Sequence, residues 1–157
     1  MTVPRYTQID HALTRSCCVQ LNIRASADVV WALLTNAAAY PSWNPTVCRI
    51  DGRIEAGQRI RLHVPGSSRT FSPRVSELAA GRRMIWSGGL APLFKGVRTF
   101  VLMPESDGTT SFAMEERFSG VVFALVKSRM PDFRPIFEAF AAGLQREAEH
   151  VAEWTAI

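Results

Sequence analysis

Between Asp132 and Trp154 apolar residues recur at steps of three and four: Phe133, Ile136, Phe137, Phe140, Ala141, Leu144, Ala148, Val151 and Ala152. This spacing predicts a helix with one wide apolar face. Arg134, Glu138, Gln145, Arg146, Glu149 and Glu153 take the other side. Asp132 can cap its start, and Pro135 falls in the first turn, where a missing N–H costs little. Such a helix is about 30 Å long and needs a surface to cover its apolar side. The chain before it supplies one. Ser16–Arg24 alternates, with Cys17, Val19, Leu21 and Ile23 set against Cys18, Gln20, Asn22 and Arg24, which predicts a half-buried strand. Ser26 then caps a short helix with Val29, Val30, Leu33 and Leu34 on its apolar side. A second helical piece, Ala37–Tyr40, stops at Pro41.

From Val47 the pattern changes to short strands separated by turns. Strands are expected at 47–52, 59–64, 69–78 (interrupted at Pro73) and 83–87. The stretch Gly88 to Phe94 reads as an apolar, glycine-hinged loop, suited to a lid or a dimer contact. Val97–Met103 and Thr109–Phe118 form a hairpin around Glu105 to Gly108. Val121–Arg129 reads as a short helix leading into the final one. Strands follow one another without helices between them, so the sheet should be an antiparallel meander and the class α+β. Residues 1–15 are polar and weakly patterned and read as an arm; residues 16–157 make the domain.

Composition narrows the function classes. The 157 residues suit one domain, and 47% hydrophobic residues are enough for a core. No run approaches a membrane span, and no apolar leader precedes Cys17. Three cysteines without CxxC or Cys/His spacing fit a reducing cytoplasm and no metal site. Net charge is +4, but the one basic cluster, Arg53, Arg59, Arg61 and Arg69, lies on a strand pattern without interleaved aromatics. It reads as a solvated face, so no nucleic acid is expected. No Gly-x-Ser-x-Gly elbow or histidine–nucleophile spacing occurs, which argues against a triad hydrolase. His63 is in phase with Arg59 and Arg61 and should point outward.

Five segments in order carry a resemblance: Ala27–Thr35, Tyr40–Pro45, Trp86–Gly89, Gly96–Leu102 and Glu116–Gly120. Together they resemble the helix-grip fold of the START-like (SRPBCC) superfamily, in its polyketide cyclase/dehydrase-like branch, over residues 16–152. The resemblance implies a seven-stranded antiparallel sheet curved around the long C-terminal helix, with two short helices after the first strand. It also implies a cavity between sheet and helix for a small hydrophobic molecule; no cofactor is expected. The family often has histidine where this chain has Arg98, so a histidine-dependent role does not transfer.

The hairpin supplies the candidate chemistry. If its turn centres on Asp107, Arg98 falls opposite Glu116, Phe100 opposite Met114 and Leu102 opposite Phe112, all on one mostly apolar face. Arg98 and Glu116 then form an ion pair on the cavity wall, either structural or able to orient a ligand's polar group or move a proton. Tyr40, Trp43 and Asn44 form a turn that the resemblance places at the cavity mouth, with Tyr40 a candidate proton donor. Trp86, Phe137, Ala141 and Leu144 are expected to line the cavity, and Trp31, Phe71, Phe94 and Phe123 either line it or belong to the core. Small residues from Ala141 to Ala148 suggest open volume beneath the helix, facing Arg98, Phe100 and Glu116. Three functions remain open at this point: binding or transport of a small hydrophobic ligand by a monomer or homodimer, a cyclase- or dehydratase-like enzyme in the same cavity, and a protein–protein module similar to heat-shock ATPase activators. A filled cavity with a large exposed patch would favour the third, and a cavity too small for any ligand would count against the first two.

Overall fold

The computed structural model describes residues 2–157. Strand β1 (Arg5–Asp10) and strand β2 (Thr14–Ile23) precede helix α1 (Ala27–Thr35), a 3-10 turn at Ala37–Ala39 and the one-turn helix α2 (Tyr40–Trp43). Short strands β3 (Arg49–Asp51), β4 (Arg61–His63) and β5 (Thr70–Phe71) follow. Then come β6 (Arg74–Ala79), β7 (Arg83–Leu90), β8 (Phe94–Pro104), β9 (Thr110–Ser119), α3 (Val121–Val126), a 3-10 turn at Lys127–Arg129 and α4 (Arg134–Thr155).

The α+β class and the long closing helix are as expected, but the single seven-stranded sheet is not. The main sheet has six strands in the order β1-β2-β9-β8-β7-β6, and β3-β4-β5 form a separate small sheet. All pairings are antiparallel. The small sheet still touches the main one: Ile60 N–H donates to Pro73 O and Val75 N–H to Gln58 O, so the segment before β4 runs along the β6 edge. The N-terminal segment is not a free arm. It is the edge strand β1, paired with β2 from Arg5↔Gln20 to Asp10↔Arg15. Its polarity follows from its place: only Tyr6 is half-buried, and the other side chains face solvent. An edge strand of this kind carries little hydrophobic alternation to read.

Local rules account for the helices. Ser26 Oγ accepts the Val29 N–H at 3.4 Å, and Asp28 lies in the first turn of α1. Asp132 Oδ1 accepts the Arg134 N–H at the start of α4, with Pro135 in its first turn. The alternating residues of β2, β7, β8 and β9 meet the apolar face of α4 in one core.

Glu149 ties the far part of α4 to the end of β2. Its carboxylate accepts the Arg24 N–H at 3.1 Å and the Arg24 guanidinium at 3.0 Å, and its side chain is almost wholly buried. Desolvation alone would raise its pKa, but these bonds from Arg24 outweigh it and hold the carboxyl below the usual range. A group depressed in the folded state contributes stability above its unfolded pKa and loses it as pH falls through the folded one. Glu149→Gln is therefore expected to lower stability near neutral pH by about 1–3 kcal/mol. The deficit relative to the parent should shrink on acidification below about pH 4.5. Urea melts across that range check both the loss and its sign.

Candidate functional site

The concave face of the sheet is built in rungs. One rung runs Cys17–Glu116–Arg98–Trp86–Val75, the next Val19–Met114–Phe100–Met84. The expected register of the hairpin holds: Arg98↔Glu116, Phe100↔Met114 and Leu102↔Phe112 are all partners. Phe100, Leu102, Phe112 and Met114 are buried, so this face is the inner one. Arg98 Nε donates to Glu116 Oε2, forming the ion pair. The two side chains keep 20% and 16% of their exposure, so they sit at the edge of the core and reach solvent. The guanidinium carbon also lies 5.5 Å from the ring centre of Phe137 on α4. Among the described residues, the terminal nitrogens of Arg98 have no protein hydrogen-bond partner.

On the other side of Arg98 the next rung is Phe118–Gly96–Gly88. Two glycines remove side chains beside the ion pair, and a Cβ on Gly96 would sit 3.5 Å from Glu116 Oε1. The glycine pair is not evident from the sequence, where Gly88 reads as part of a loop. The stretch from Gly88 to Phe94 is instead mostly strand: β7 runs to Leu90, which pairs with Phe94, and only Ala91–Leu93 turn the chain. Gly89 makes this continuation possible. It has φ +88°, and a Cβ there would lie 2.1 Å from the Phe94 carbonyl oxygen.

The volume expected beneath Ala141 to Ala148 is filled. Ala141, Leu144, Ala148, Phe100 and Phe137 have no exposed surface, so no water-sized space touches them. Tyr40, Trp43, Trp86, Phe100 and Phe140 occupy the interior as an aromatic cluster, with ring centres 4.7–6.3 Å apart. The small residues of α4 serve close approach: the Trp43 carbonyl oxygen would be only 2.4 Å from a Cβ on Gly143. Two surface hollows lie elsewhere. One of about 380 Å³ is lined by Thr35–Ala38 and Ile50–Glu55 residues, the other of about 290 Å³ lies on the outer sheet face around Cys18, Arg83 and Glu115.

The turn residues are also committed. Tyr40 is buried and donates its hydroxyl to the Leu34 carbonyl at 2.8 Å, and burial pushes its ionisation far up. Asn44 Oδ1 accepts from the Thr46 N–H and hydroxyl, which closes the turn before β3. Among the described residues, three buried donors lack acceptors: Trp43 Nε1, Asn44 Nδ2 and Trp86 Nε1. An unmet buried donor costs about 1–3 kcal/mol, so each is a place where an acceptor would be welcome. Trp86 shares its rung with Arg98. Of the other aromatics, Phe123 is buried, Trp31 and Phe94 are half-buried, and Phe71 lies exposed on the small sheet. His63 sits beside Arg61 on the outer side of β4 and bonds Asp51 at 2.8 Å, away from the concave face. No group of three or more His, Cys, Asp or Glu among the described residues is arranged to hold a metal ion. No helix among them is long and apolar enough to cross a membrane.

A family model described as polyketide cyclase / dehydrase and lipid transport matches residues 16–149. The chain belongs to that family. Within it the curved sheet and closing helix are shared with START-like proteins. A protein from Rhodobacter sphaeroides is 18% identical with a TM-score of 0.68, covering 94% of this chain and 99% of its own. A START superfamily protein from Mycobacterium smegmatis is 19% identical with a TM-score of 0.61, covering 89% of this chain and 98% of its own. The di-domain ARO/CYC protein StfQ of the steffimycin biosynthetic pathway is 17% identical with a TM-score of 0.66, and the match covers 92% of this chain and 53% of StfQ. At these identities the likeness is one of fold. No curated protein matches the chain.

Proposed function

We propose that this family member binds a small hydrophobic molecule at the concave face, with an oxygen of the ligand held at Arg98. One observation carries the reading: an ion pair on an otherwise apolar inner wall, open to solvent at one side and with free guanidinium donors. Two glycines stand on the rung beside it, and Trp86, on the rung of Arg98 itself, adds an unmet donor. The interior is packed with aromatic rings, so on this reading a ligand's apolar body enters by displacing aromatic side chains from the Arg98 end. Membership of a family that includes cyclases and lipid carriers is consistent with such a site. Binding is favoured over catalysis because the candidate proton donor Tyr40 is tied to Leu34 and Glu116 is engaged with Arg98.

The probe is an anilinonaphthalene sulfonate, which pairs an aromatic body with an anion. Its binding should quench fluorescence of Trp86. Arg98→Met should weaken it about tenfold to a hundredfold, the worth of a charge-assisted hydrogen bond. Glu116→Gln, which leaves the guanidinium in place, should retain binding. Equal affinity of the parent and Arg98→Met would remove Arg98 from the site.

The filled interior and an exposed apolar end also favour a second reading, in which this protein works by docking on a larger partner.

A further inference from the structure

Three segments meet at one end of the molecule. The Val121 and Val122 N–H groups of α3 donate to the carbonyls of Pro92 and Leu93 at the β7–β8 tip, at 3.1 and 2.9 Å. Gly120 N–H donates to Leu13 O in the β1–β2 turn, and Lys127 Nζ donates to His11 O and Ala12 O. The surface they share is apolar: Leu13, Leu90, Leu93, Val121, Val122 and Leu125 are 39–80% exposed. Only Phe123 of α3 turns fully inward, onto Phe94 and Phe118. Isolated exposed apolar residues need no explanation, but six on three adjoining segments do.

Within the segments that build this surface the charges are of one sign, with Asp10 and Asp132 at their ends. No Asp or Glu occurs in residues 11–27, 78–104 or 117–131, the segments that build it. Lys95, Arg117, Lys127 and Arg129 fall within them. The flanking carboxylate of Asp10 is taken by Arg15 at 2.6 Å. A symmetric dimer through this face would set these cations against their own copies, because a two-fold interface matches each patch with itself. An anionic bilayer supplies what the face lacks: negative headgroups for the basic rim and an acyl boundary for the leucines and valines.

We propose that the α3 end, with the β7–β8 tip and the β1–β2 turn, docks on the surface of anionic lipid membranes. This goes beyond ligand binding and does not depend on it. If both hold, docking would place the bilayer over the Phe94, Phe118 and Phe123 rings that lie between α3 and the Arg98–Glu116 pair.

The test is co-sedimentation of the full chain with vesicles of phosphatidylcholine alone and of phosphatidylcholine mixed with phosphatidylglycerol. Binding to the anionic vesicles is expected, weakened by added salt, with little binding to the neutral ones. Leu93→Asp with Leu125→Asp should reduce it at least tenfold, as should Lys95→Glu with Arg129→Glu. All these positions are exposed, so circular dichroism should show an unchanged fold. Trp154→Asp, near the opposite end of α4 and also exposed, should bind like the parent. Absence of binding to anionic vesicles, or equal binding by the Leu93/Leu125 variant, overturns the proposal. So does a concentration-dependent dimer in light scattering that the same variant abolishes, which would assign the face to a second copy. Binding to an acidic protein but not to anionic vesicles would overturn it in favour of a protein partner.

Discussion

Phe100→Ala should lower the unfolding free energy by about 3–5 kcal/mol, the range for removing a buried aromatic side chain. Phe100 has no exposed surface and lies at the centre of the inner wall, with Met84 and Met114 as its cross-strand neighbours. Its ring centre is 4.9 Å from Trp86, in an edge-on contact, and 5.9 Å from Phe140 of α4. The loss therefore combines the transfer of the ring out of the core with the void it leaves and with aromatic contacts worth a further fraction of a kcal/mol. For a chain of this size the melting temperature should fall by on the order of 10 °C. A urea melt reads the change as a lower midpoint with an unchanged slope. The same variant bears on function. It opens apolar space next to Arg98, so it should bind the naphthalene probe more tightly than the parent if the ring is what keeps the site closed. A loss below about 1.5 kcal/mol would mean that the wall is loosely packed around residue 100.

The parts of the fold that could be read from the chain are those where one period runs long enough to leave a single solution. In β8 and β9, ten or more residues alternate around a short polar turn, so the pairing of Arg98 with Glu116 followed from placing the turn. In α4, 22 residues repeat one apolar face, so its length is evident, but Gln145 and Glu149, placed on the polar side, are buried, and Ile136 of the apolar face is exposed. The misses have physical causes as well. Strand β1 borrows its stability from the ladder to β2, and its outward side chains leave no pattern. Strands β3 to β5 are too short for their pattern to say which sheet they join. Gly88 and Gly89 look like a break, although backbone bonding continues through them to Leu90. For the candidate site, the ion pair was legible, while the glycine rung beside it was hidden by that same misplacement. The interior volume was not legible at all. A run of small helix residues fits both a void and a tight contact, and only the position of Trp43 distinguishes them.

Gly143→Ala tests that distinction. In an ordinary helix interior the change would stabilise by about 0.8–1.0 kcal/mol, because glycine is the poorer helix former. Here the added methyl would lie 2.4 Å from the Trp43 carbonyl oxygen and 3.2 Å from Pro45 Cδ. Neither neighbour is the end of a flexible side chain. The carbonyl belongs to α2, and Trp43 is held by its rings against Tyr40 and Phe140. To admit the methyl, α4 and the 40–45 turn must separate, and overpacking of this kind costs about 1–3 kcal/mol or more. The clash should outweigh the helix gain, giving a net loss of up to about 2 kcal/mol for alanine. Gly143→Leu, with four heavy atoms to place, should fail to fold. Chemical denaturation gives the sign directly: a stabilised Gly143→Ala protein would mean that space remains between α4 and the turn. The prediction also reaches the proposed site. Forcing the turn away from α4 loosens Trp43 and Tyr40, whose rings pack against Phe140 and Trp86. If ligand entry requires these aromatics to move, Gly143→Ala should bind the apolar probe faster than the parent in stopped-flow fluorescence despite its lower stability. An unchanged rate would locate the opening wholly at the Gly88–Gly96 side.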